Sequence, residues 1–139
     1  MKEALIEIKG TQQLPEGEPD ITTFTTTGSI QKTDEELIIS YCESEMIGAK
    51  NVKTNITVKG DTVTIKRSGG MESQLIIQKG RRHSCLYNTE QGDFVIGIFG
   101  ESLLTEFAEK GGKIYMSYTI DVYSGLLSKN IMEIKFKEI

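Results

Sequence analysis

Arg67 and Glu43 are the two charged residues of this 139-residue chain whose sequence neighbours suit them least. Side chains alternate across an extended strand, so Leu37, Ile39, Tyr41 and Glu43 fall on one face, and Val63, Ile65 and Arg67 on one face of another. A guanidinium and a carboxylate thus each end a row of apolar residues. Where such rows face a core, a buried charge is tolerated only when paired and hydrogen-bonded, which predicts that Arg67 bonds Glu43 or a nearby tyrosine. The planar fork of Arg67 equally suits a carboxylate or phosphate held bidentately, so the residue would either anchor an anionic ligand or close one end of the fold as half of a structural pair.

The same parity puts Cys85, Tyr87 and Thr89 on one face, and Ile114, Met116, Tyr118 and Ile120 on one face of a later strand. Tyr41, Tyr87 and Tyr118, with Glu43 and Arg67, would line an apolar pocket with a few polar points, the usual form of a small-molecule site. Against this stands a filled core with internally satisfied hydroxyls, because about eight strands leave an interior just wide enough for side chains or one small ligand.

No other residues assemble into a reaction centre. His83 is the only histidine, and no serine or cysteine stands beside it in a nucleophile motif. Following Arg81 and Arg82, it reads as a solvated strand entrance. That basic triplet lacks the Gly-rich loop and helix that would cradle a phosphate. Cys42 and Cys85 show no zinc spacing and fall on opposite faces relative to Tyr41 and Tyr87, so a bridge between them is not expected. The acidic stretches 16–20 and 34–36 lack the alternating oxygen pattern of a calcium loop. The sequence therefore predicts no catalytic residue, no metal, no cofactor and no enzyme.

Composition narrows the partners. A net charge of -4 and a pI near 5.1, with scattered basic residues, argue against nucleic acid. No apolar run approaches the ~20 residues of a membrane helix, and the opening residues alternate instead of forming a signal-peptide apolar region. A cytoplasmic protein is expected.

Period-two alternation identifies the elements that must hold these residues. Strands are predicted over 6–10, 21–27, 37–41, 52–58, 63–67, 72–78, 83–89, 94–107, 113–123 and 131–137. Gly60-Asp61 marks a tight hairpin, and Gly80, Gln91-Gly92, Gly111-Gly112 and 128–130 separate later strands. Residues 101–110 also admit a helix, with Leu103, Leu104, Phe107 and Ala108 on one face. The connections are too short for parallel crossovers, so the expected fold is all-β: one domain over 1–139, an antiparallel meander closed into a small barrel.

The segments Ile6-Glu7-Ile8-Lys9-Gly10-Thr11-Gln12, Leu37 to Tyr41 with Glu43-Ser44, Thr62-Val63-Thr64-Ile65-Lys66-Arg67-Ser68-Gly69, Tyr87-Asn88-Thr89-Glu90-Gln91-Gly92 and Lys113-Ile114-Tyr115-Met116-Ser117-Tyr118 resemble, in order and spacing, the YwiB-like family of uncharacterised bacterial proteins. The resemblance implies a calycin-like, lipocalin-related barrel and carries over no catalytic residues. Cys42 stands where that family commonly has Glu.

Two functions are compatible with these residues. One is a binder of a small, largely apolar, anionic ligand inside the barrel. The other is a ligand-free scaffold acting through a protein partner or a homodimer, for which an exposed edge within 52–66 would serve.

Overall fold

Alternation along the chain becomes ten strands: β1 Lys2–Gln13, β2 Asp20–Lys32, β3 Leu37–Cys42, β4 Lys53–Lys59, β5 Thr62–Ser68, β6 Ser73–Gln78, β7 Arg82–Thr89, β8 Gly92–Ala108, β9 Gly111–Val122 and β10 Gly125–Glu138. The structure is a computed structural model describing residues 2–42, 52–69, 72–89, 92–122 and 125–139. Each strand pairs antiparallel with its sequence neighbours, and β1 pairs with both β2 and β10, closing a barrel. The predicted all-β meander is thus what forms.

One parity of every strand points inward. Ile6, Ile39, Ile56, Val63, Ile77, Ile98, Ile114, Met116 and Ile134 are essentially sealed from solvent and pack in one core. Each such side chain contributes about 1.5–3 kcal/mol relative to exposure. The middle of the barrel is therefore filled by side chains. Outward positions such as Glu7, Lys9, Lys66 and Lys135 are exposed and charged.

The ambiguous stretch 101–110 is not a helix. β8 runs through it to Ala108, with a register shift between Gly100 and Ser102. That bulge resets the parity so that Leu103 pairs beside Met116 and Phe107 beside Gly112. Apolar residues four apart fit a helical face and a strand face equally, and here the closed ladder decides. The bulge lies where the β6–β7 turn docks: Gly80 N donates to Gly100 O at 2.8 Å, and Gly100 N donates to Arg81 O at 3.2 Å. A Cβ on Gly100 would meet Gln78 O at 2.4 Å, so only glycine admits this approach.

The 52–66 segment offers no edge. β4 lies between β3 and β5, and β5 between β4 and β6, so the strand-edge route to a dimer is closed. The expected Gly60-Asp61 hairpin is present, with Gly60 at φ 60° and Lys59 opposite Thr62.

The two barrel ends differ. At one, the connections 33–36, 60–61, 79–81 and 109–110 are tight turns; at the other, the connections 14–19 and 43–52 are long. The long-loop end is where the polar inward residues collect.

Candidate functional site

Antiparallel register brings distant polar residues into two transverse rows at the long-loop mouth. On one wall, Tyr41 pairs with Thr54, Thr54 with Arg67, and Arg67 with Ser73. At about 4.8 Å per strand, these four span about 14 Å. On the opposite wall, Asp20 pairs with Gln12, Gln12 with Asn130, and Asn130 with Tyr118. Between the walls lies a cavity of about 330 Å³, lined by Arg67, Tyr118, Asn130, Asp20, Ile65 and Leu75 among others.

The expected site residues fare unequally. Arg67 and Tyr118 share this cavity, with Tyr118 and Tyr41 buried and Arg67 half-buried. Tyr41 does not line it; its ring lies 6.0 Å from Phe24 at 58°. Gly28 makes room for it, since a Cβ there would lie 3.0 Å from Tyr41 Cβ and 2.1 Å from the Ser40 carbonyl oxygen. For Tyr87 only the backbone is described, opposite Ser73 and Phe94. Glu43, and with it the expected Arg67–Glu43 pair, lies outside the described residues.

Thr54, Ser73, Asn130 and Ser128 are inward polar residues absent from the sequence-based set. Residues 128–130, expected as a separator, lie within β10; Ser128 and Asn130 are buried, and Asn130 Nδ2 donates to Ser128 Oγ at 3.0 Å. Thr54 is 0% exposed, and its hydroxyl has no hydrogen-bond partner among the described residues. A buried hydroxyl without a partner is costly, and few such groups occur in a folded chain. It marks the Arg67 row as incompletely satisfied. Parity alone placed Thr54 on the inward face, and only its company was hidden.

The basic triplet is dismantled by alternation. Arg82 points outward and its guanidinium pairs with Asp121, whereas His83 is half-buried with Nε2 2.8 Å from Gln78 Oε1. His83 is thus held in the β6–β7 seam, a correction to the solvated entrance expected for it. In that seam Ile76 N donates to Cys85 Sγ at 3.4 Å, and burial pushes the Cys85 thiol pKa up. Cys42 is exposed and Cys85 buried, both unbridged. Among the described residues, no cluster of His, Cys, Asp and Glu suits a metal ion, and no helix is long and apolar enough to cross a membrane.

Two further cavities lie away from this mouth. At the tight-turn end a cavity of about 430 Å³ has Lys2, Lys32 and Lys110 on its rim together with Asp34, Glu109 and Glu138; Lys2 Nζ lies 3.1 Å from Glu138 and Lys32 Nζ sits 5.1 Å from the Phe107 ring centroid. A space of about 560 Å³ against β1, β2 and β10 is edged by Glu7, Lys9, Glu133 and Lys135, whose charges cancel.

The comparisons agree with this architecture. The crystal structure of the ywiB protein from Bacillus subtilis superposes with a TM-score of 0.85 at 21% identity, covering 99% of this chain and 92% of that one. At that identity the likeness is one of fold. No curated protein matches the chain. Residues 6–134 match the domain of unknown function DUF1934. The chain belongs to the DUF1934 family.

Proposed function

We infer that the protein is a non-enzymatic, calycin-like binding protein that holds a small, partly apolar, anionic molecule at the long-loop mouth of its barrel. The observation that carries this reading is the cavity of about 330 Å³ shared by Arg67 and Tyr118 above a filled core. Its size falls in the ~300–1,000 Å³ range of small-molecule sites. Ile65 and Leu75 supply apolar contact, while Arg67, Tyr118 and Asn130 supply a few convergent polar points, with the exposed Asp20 carboxylate at the rim. Arg67 is the anion anchor, because its fork matches a carboxylate or phosphate.

A binding role without catalysis fits the disposition of the one imidazole. His83 is engaged with Gln78 in the β6–β7 seam. A cytosolic setting fits an exposed Cys42 and a buried Cys85 on opposite faces.

Native mass spectrometry of the protein purified from its source tests the reading. The expected spectrum contains a species heavier than the chain by one small organic anion, lost on Arg67→Met. A spectrum of the bare chain alone, from protein that has never been denatured, contradicts it.

A further inference from the structure

We propose that the outer face of β7–β8–β9 is a self-association surface that docks a second copy of this chain about a two-fold axis near Phe99. Apart from the β6–β7 seam, where Ser73 opposite Tyr87 is the ladder pair, the closed sheet leaves its strand edges paired, so over the rest of the barrel a copy binds face to face. Outward on β8 stand Val95, Phe99 and Leu104, at 64%, 38% and 63% exposure, and Leu86 on β7 lies directly opposite Val95. The outward residues of β1 and β10, by contrast, include Glu7, Lys9, Glu133 and Lys135.

The pattern is self-complementary. Val95 lies four residues before Phe99, about 13 Å away along the strand. Leu104 lies five residues after it, one of them taken up by the bulge between Gly100 and Ser102, so about 13–16 Å on the other side. A two-fold axis through Phe99 therefore sets Leu104 of each copy against Val95 and Leu86 of the other, with the two Phe99 rings meeting at the centre. An isologous contact requires this kind of symmetry, and a different partner would not.

Charge on this face is close to balanced, which suits a contact between copies that each carry a formal -4. Arg82 is paired with Asp121 and Glu106 stands opposite Lys113 in the ladder, leaving Glu101 at the bulge as the face's net charge. The face is about 10 Å from β7 to β9 and about 30 Å along β8, small beside a standard interface, so the expected dimer is weak and reversible, in the micromolar range or above.

Sedimentation equilibrium of the full chain from about 1 to about 200 µM brackets that range. The expected mass climbs from one chain toward two, and Leu104→Glu, which adds a carboxylate to both halves of the contact, keeps the protein at one chain with an unchanged far-UV spectrum. A single-chain mass throughout for the unmodified protein overturns the proposal, as does a Leu104→Glu variant that still dimerises. In a Cys42→Ser background, Phe99→Cys should crosslink to its own copy under mild oxidation while Val95→Cys alone should not. Equal crosslinking of the two would rule out the axis.

Discussion

Arg82 reaches from β7 across β8 to Asp121 on β9, donating from Nε to Oδ2 at 3.0 Å and from Nη2 to Oδ1 at 2.6 Å. The path is open because the residue between them is Gly97, where a Cβ would come within 2.0 Å of Arg82 Nη2. Arginine, glycine and aspartate on three successive strands thus form one device. It pairs the two opposite charges that flank Gly97 on the outer face.

Gly97→Val should break that device. Its side chain displaces the flexible guanidinium, and the hydrogen bond from Arg82 is the main cause holding the Asp121 carboxyl below its ordinary range. A depressed carboxyl contributes stability above the ordinary carboxylate range and loses it as pH falls through the folded value. The Asp121 titration, followed by carbon NMR, is expected to move upward in Gly97→Val and in Arg82→Gln. An unmoved titration would show that the pair does not form in solution.

Thr54→Val removes a fully buried hydroxyl that has no partner among the described residues. An unsatisfied buried polar group costs about 1–3 kcal/mol, and an apolar replacement of similar shape recovers part of it. In urea unfolding, the variant should gain about 1 kcal/mol with unchanged slope. A loss of stability would mean that the hydroxyl is satisfied by a bound water or ligand.

The two thiols should react separately. Cys42 is exposed, whereas Cys85 is buried and its thiol is pushed above the ordinary range by that burial. A chromogenic disulfide reagent is expected to titrate one thiol rapidly in the native protein and the second only as fast as the β6–β7 seam opens. The sign of the linkage follows: a thiol whose folded pKa is raised contributes stability fully present below its unfolded pKa and lost as pH rises through the folded value. Two rapid thiols at neutral pH would contradict the buried placement.

Much of this was legible in the residues. Period-two alternation reveals strands, so all ten were visible, and parity put Tyr41, Arg67 and Tyr118 on inward faces. The stretch 101–110 was not legible, because Leu103 and Phe107 satisfy both periods until the bulge after Gly100 is known. Thr54, Ser73 and Asn130 were hidden for a different reason. Parity says which face a side chain takes, but only register says that Thr54 stands between Tyr41 and Arg67, or that Asn130 stands between Gln12 and Tyr118. The filled lumen was equally undecidable from sequence, since it depends on whether inward Ile, Val and Leu residues from ten strands meet at the axis.

The central claim is that Arg67 anchors an anion at the barrel mouth, and an amide NMR titration with octanoate, with inorganic phosphate as a second probe, tests it most directly. Saturating shifts should appear at Gly10, Arg67, Tyr118 and Asn130, leave the amides of Ile56 and Ile134 in place, and fall at least about tenfold in affinity in Arg67→Met, as loss of a charge-assisted contact requires. Shifts that are absent with both probes, that centre away from the mouth, or that persist unchanged in Arg67→Met would contradict the account.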